Sequence, residues 1–64
     1  MDIIDTVENW GRLLLVEELA GLTSISPKTL YRYIKLRKLP AIRIGGCIRL
    51  NPKTTADWLR SRQR

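Results

Sequence analysis

The sequence predicts a mainly α fold with one small β-hairpin: a helix, a tight turn, a second helix, the hairpin and a closing helix. Three observations predict it. Ser26-Pro27 and Asn51-Pro52 each place a capping side chain directly before a proline, which opens a helix because the proline's missing N–H is not needed at the first helical position. Apolar and polar residues alternate on either side of Gly45-Gly46, the pattern of a hairpin. Only Thr23, Ser24 and Ile25 separate the first core helix from Ser26, a connection short enough to make two helices cross steeply and to leave the second exposed.

Residues 1–12 read as an N-terminal arm or a short helix. Asp5-Thr6-Val7-Glu8 has the form of a capping box, Ile3, Val7 and Trp10 recur at spacings of four and three, and Gly11 supplies a stop. So short a helix is unstable alone, and the alternative is a frayed arm that docks Trp10 on the domain. Residues 13–62 read as that domain, with 63–64 as the end of a basic tail. Its first helix follows an extended lead-in and buries Val16, Leu19, Ala20 and Thr23 on one face. Glu17 and Glu18 stand in its first turn, where the helix dipole favours acids.

The second helix runs from Pro27 to Lys35, with Ser26 as N-cap. Ile25 and Leu30 are placed to staple its entry. At 3.6 residues per turn, Leu30, Tyr33 and Ile34 form its back while Lys28, Arg32 and Lys35 form its front. A basic front of this kind is either an ordinary solvated face or a helix built to lie in the DNA major groove. Leu39-Pro40 ends the element.

In the hairpin, Ala41 to Leu50, a two-residue Gly45-Gly46 turn would set Arg43 opposite Ile48 and Ile42 opposite Arg49, mixing the faces. A three-residue loop, Gly45-Gly46-Cys47, sets Ile44 opposite Ile48, Ile42 opposite Leu50 and Arg43 opposite Arg49. That register gives one apolar and one basic face, and it is the one expected. The closing helix, Pro52 to about Arg62, turns Thr55, Trp58 and Leu59 inward. Arg60, Arg62 and Arg64 lie toward its C-terminal end, either as dipole partners or as a phosphate-binding tail.

Charge is divided along the chain. Residues 1–18 carry five acids and one base, a balance of −4, whereas residues 19–64 carry eleven bases and one acid, a balance of +10. Such a block implies a polyanionic partner. A membrane surface would call for a long helix with bulky apolar residues opposite lysines, which is missing, so nucleic acid is expected. RNA fits less well than double-stranded DNA because there is no aromatic-rich sheet on which bases would stack.

Other classes are excluded. A chain of 64 residues has no room for a substrate cleft, has no His, and has no close acid pair beyond Glu17-Glu18, which points in two directions on a helix. No enzyme, cofactor, metal site or small-molecule substrate is expected. Lone Cys47 forms no internal disulfide and is expected exposed at the tip of the hairpin. With no membrane-spanning run and an acidic start unlike a signal peptide, the chain is expected to be soluble and cytoplasmic.

The order of these elements resembles the excisionase-type helix-turn-helix family, compact winged relatives of the MerR DNA-binding domains. The resemblance is carried by Val16-Glu17-Glu18-Leu19-Ala20, by Ile25 through Lys35, by Leu39-Pro40-Ala41-Ile42-Arg43-Ile44-Gly45-Gly46, by Ile48-Arg49-Leu50 and by Asp57-Trp58-Leu59. It implies a winged helix-turn-helix whose second helix enters the major groove while the hairpin touches backbone or minor groove. Lys28, Thr29, Tyr31, Arg32 and Lys35 match the family's helix contacts and Arg43 and Arg49 its wing contacts, and the N-cap Ser26 is expected to join them at the DNA. Three residues depart from the pattern: Leu15 stands at the usual Ser or Thr cap, Ser24 at the usual turn glycine, and Cys47 at the usual basic wing tip. The implied role is that of a recombination directionality factor or a small transcription regulator of bacterial or phage origin, nucleoid-associated. Its implied partners are DNA with an integrase or recombinase, or with further copies of itself. A protein-interaction module gripping an acidic partner is the other class.

Overall fold

A computed structural model describes residues 2–62. Four helices and a two-stranded antiparallel hairpin follow in the order α1 (Ile3–Glu8), α2 (Val16–Thr23), α3 (Pro27–Lys35), β1 (Ile42–Ile44), β2 (Cys47–Arg49) and α4 (Pro52–Arg62). This is a winged helix-turn-helix: α2 and α3 form the motif and the hairpin is the wing. The expected tail end, 63–64, and with it Arg64, lies outside the described residues.

The N-terminal segment is a helix integrated into the fold. Its cap is Asp2, whose Oδ1 accepts from Asp5 N–H at 2.9 Å, so the capping box expected at Asp5 is displaced by three residues. The correction follows from burial: starting at Ile3 puts Val7 in the core with no exposed surface, and α1 packs chiefly on α4. Glu8 ties that contact through an ion pair with Arg60. The helix gives out at Asn9, and Gly11 supplies the positive φ of +87° that turns the chain away.

The lead-in to α2 has a partner no local pattern announces. Leu14 and Leu50 exchange both backbone bonds at 2.9 Å, closing the end of β2 onto the start of the motif. At the start of α2, Leu15 offers no capping oxygen. Glu18 substitutes by accepting from Leu15 N–H at 2.9 Å while also binding the Arg12 guanidinium. Val16, Leu19 and Ala20 are buried, as their spacing implies.

Ser26 caps α3 by accepting from Thr29 N–H at 3.2 Å, with Pro27 in the first position, and Leu30 and Ile34 are buried. The helix stops before Leu39-Pro40 by a Schellman arrangement. Lys38 N–H donates to Tyr33 O at 2.9 Å and Arg37 N–H to Ile34 O at 3.0 Å, with Arg37 in the left-handed region at φ +61°. Ser24, which ends α2, takes the same φ of +61°. An L-residue there carries about 1–2 kcal/mol of strain that glycine avoids.

The hairpin corrects the expected register. Ile42 faces Arg49, Arg43 faces Ile48 and Ile44 faces Cys47, across a two-residue Gly45-Gly46 turn. Gly45 has φ +59° and is the only one of the pair with positive φ, as in a type II′ turn. The expectation of Arg43 beside Arg49 is therefore wrong, and the two arginines point to opposite faces. The reason lies at the strand ends. Leu39, Ala41, Ile48 and Leu50 turn toward the core, with Leu39 and Leu50 fully buried, so the alternation leaves Ile42 and Ile44 on the outside despite their size.

Asn51 opens α4 by accepting from Lys53 and Thr54 N–H at 2.9 and 3.1 Å. Thr55 and Trp58 are buried as expected, together with Ala56, and Leu59 packs against the core. Arg60 is engaged by Glu8 and Asp57. The Arg62 guanidinium lies 4.9 Å from the Tyr33 ring centre and 5.1 Å from that of Trp58. Arg60 and Arg62 are thus occupied within the fold.

Candidate nucleic-acid interface

The exposed front of α3 is the centre of the site. Lys28, Tyr31, Arg32 and Lys35 are all exposed, and Thr29 is half-buried beside them. Their backs are fixed by Leu30, which has no exposed surface, and by Ile34 at 8%. Anchoring the helix by these two residues holds Lys28, Arg32 and Lys35 at one-turn intervals along a single edge. No acid stands in the first turn of α3, and Lys28 does instead. A lysine there opposes the helix dipole, so this end of α3 concentrates positive potential where backbone N–H groups already point outward.

Two of the expected site residues are engaged within the fold. The Ser26 hydroxyl serves the cap and lies 2.9 Å from Thr29 Oγ1. The Tyr31 hydroxyl donates to Glu17 Oε2 at 3.2 Å, a contact between α3 and the first turn of α2. Partial desolvation, and then that bond, push the Tyr31 phenol above its ordinary range. With its proton directed to a carboxylate, the phenol oxygen is left as an acceptor toward anything in front of the helix. Sequence reasoning did not single out Glu17 for this, because nothing local pairs residues fourteen positions apart.

The wing carries one of the expected arginines on each face. Arg49 is half-buried, with its Nη1 donating to Ile48 O at 2.9 Å, and its charge is felt at Glu18 and Tyr31. Arg43, on the other face, is exposed and stands with Lys35 and Arg37 around a hollow at the end of α3. All eight expected residues therefore lie on α3, its cap or the wing, but only the α3 front forms one continuous face.

Glu17 touches the α3 front through Tyr31, and four other acids are engaged away from it. Glu8 and Asp57 engage Arg60, Glu18 engages Arg12, and Asp2 caps α1. Arg12 first, and then the Leu15 N–H, hold the Glu18 carboxyl below the usual carboxylate range. A depressed folded pKa gives stability that is present above the ordinary value of about 4.3 and is lost as pH falls through the folded one. In acid titrations followed by circular dichroism, the wild-type chain should therefore exceed Glu18→Gln in stability at neutral pH. That advantage should shrink below about pH 4. An advantage that persisted unchanged to lower pH would contradict the bridging role of Glu18.

Among the described residues no group of three metal-binding side chains occurs, and no helix is long and apolar enough to cross a membrane. Cys47 is exposed and free, opening β2 beside the turn.

A sequence profile described as a helix-turn-helix domain matches residues 13–63. Two Mycobacterium tuberculosis proteins, from strains CDC 1551 / Oshkosh and ATCC 25618 / H37Rv, are each named provisionally as a DNA-binding protein. Both are 40% identical to the chain over 48 residues. The match covers 75% of this chain and 62% of each relative, so the chain spans less than two thirds of their length. No solved structure gives a significant match.

Proposed function

Because the chain belongs to the helix-turn-helix domain family, we propose that it binds double-stranded DNA in a sequence-dependent way, with α3 in the major groove and the hairpin as a wing on the flanking backbone. The observation that carries this reading is the α3 front. Three cations at one-turn intervals, without carboxylate partners among the described residues, stand on a helix whose position is set by a buried back. That arrangement lets one edge follow phosphates while the residues between them reach base edges.

Within this reading Arg32 reads guanine through paired bonds to O6 and N7. Tyr31 accepts from an exocyclic amino group, and Lys28, Lys35, Arg43 and Arg49 hold phosphate. Ser26 and Thr29 position the N-terminal end of the helix. The role is non-catalytic and cytoplasmic: excision of a mobile element beside a recombinase, or transcription control. The exposed wing residue Ile44, 52% accessible, is a suitable apolar contact for a recombinase or a second copy on the DNA. A second reading, in which the basic helix and wing grip an acidic protein, rests on the same three cations, unpaired among the described residues.

A salt series with random duplex DNA decides between them. With about five phosphates neutralised, the logarithm of affinity should fall against the logarithm of salt with a slope near −4 to −5. A slope near zero, or no duplex binding at low salt, would remove the DNA reading.

A further inference from the structure

We infer that the hollow between the C-terminal end of α3 and β1 is a seat for one backbone phosphate of duplex DNA, and that Arg37 is its third wall. The inference rests on the DNA-binding reading above and adds to it a residue which that reading does not use.

Three separate observations meet at this place. The hollow, of about 400 Å³, is lined by the cations Lys35, Arg37 and Arg43, above a floor that includes Ile34, Leu39 and Pro40, and no acid is among its lining residues. None of the three cations has a carboxylate partner among the described residues, whereas Arg12 and Arg60 both do. Arg37 also occupies a left-handed backbone position, φ +61°, at the point of a Schellman stop where glycine is the unstrained choice.

These facts bear on one another. Three like charges around a small hollow repel unless an anion lies between them, and the low-dielectric floor strengthens both effects. A phosphodiester oxygen accepts from all three walls at once, and Arg37 presents a planar fork that suits it. In the free protein two Schellman hydrogen bonds hold Arg37 in that conformation, and a glycine would hold it without the strain, so the position keeps an exposed guanidinium at the rim of the hollow. Lys35 belongs both to the α3 front and to this hollow, so the seat continues the proposed interface along the DNA backbone.

The test separates stability from binding. Labelled random duplex is titrated over a salt series with wild type, Arg37→Gly, Ser24→Gly and Lys53→Ala, and each protein is melted in parallel. Arg37→Gly relieves left-handed strain, so its melting temperature should rise by about 4 °C. Its affinity should nevertheless fall about fivefold at 0.15 M salt, while its salt slope falls by less than about 1 because Lys35 and Arg43 still neutralise the shared phosphate. Ser24→Gly relieves the same strain at the end of α2 and should melt higher with affinity unchanged. Lys53→Ala removes an equal charge from α4 and should leave affinity near that of wild type. Wild-type affinity in Arg37→Gly would overturn the seat and leave the DNA reading standing. An equal loss in Lys53→Ala would also overturn it, because net charge alone would then account for the effect. A wild-type slope near zero would instead remove the DNA reading and the seat together.

Discussion

Leu50→Ala is expected to remove about 2–5 kcal/mol of folding stability, a large share of what a domain of this size possesses. Leu50 has no exposed surface and stands where three parts of the chain meet: the end of β2, the Leu14 bridge and the entry to α4. Alanine leaves both 2.9 Å backbone bonds to Leu14 possible, so the loss measures side-chain burial and the cavity left behind. A 64-residue chain, at about 0.05–0.15 kcal/mol per residue, holds only about 3–10 kcal/mol in total. In urea unfolding followed by circular dichroism, the variant's midpoint should fall to roughly half the wild-type value. Leu36→Ala serves as control, since Leu36 is 53% exposed and should change stability by less than about 0.5 kcal/mol. A loss under about 1 kcal/mol at Leu50 would mean that the core closes over the missing side chain.

Arg32→Ala is expected to reduce affinity for the preferred DNA site by about 1–3 kcal/mol while changing affinity for random duplex little. Arg32 projects from the middle of the α3 front, one turn beyond Lys28, on a helix held rigidly by Leu30 and Ile34. Rigid support is what base reading requires, because paired bonds to guanine tolerate little displacement. Arg43, on a strand of only three residues, suits phosphate, and Arg43→Ala should weaken preferred and random sites alike. Arg49→Ala should do so less, since Arg49 already gives one N–H to the Ile48 carbonyl and is half-buried. Sites selected from a random duplex pool, followed by binding titrations, supply both measurements. Reversed losses, with Arg43 controlling which sequence is chosen, would refute the division between reading and anchoring.

What the residues determined by themselves was local. The Ser26-Pro27 and Asn51-Pro52 starts, the buried backs of α2 and α3, the two-strand hairpin and the basic front of α3 all follow from capping chemistry and a helical or alternating period. Each of these acts within a few residues. The winged helix-turn-helix architecture follows because short connections leave those elements few ways to pack.

Only the tertiary structure decided the rest. The register of the wing was settled by Leu14 pairing with Leu50 and by Leu39 and Ala41 turning inward, so the bulkier Ile42 and Ile44 were left outside. The start of α1 was settled by Val7 reaching the core against α4, and the direction of the Tyr31 proton by Glu17 across the motif. In each case the deciding partner lies far away in sequence. A three-residue strand or a six-residue helix has too little preference of its own to resist that partner.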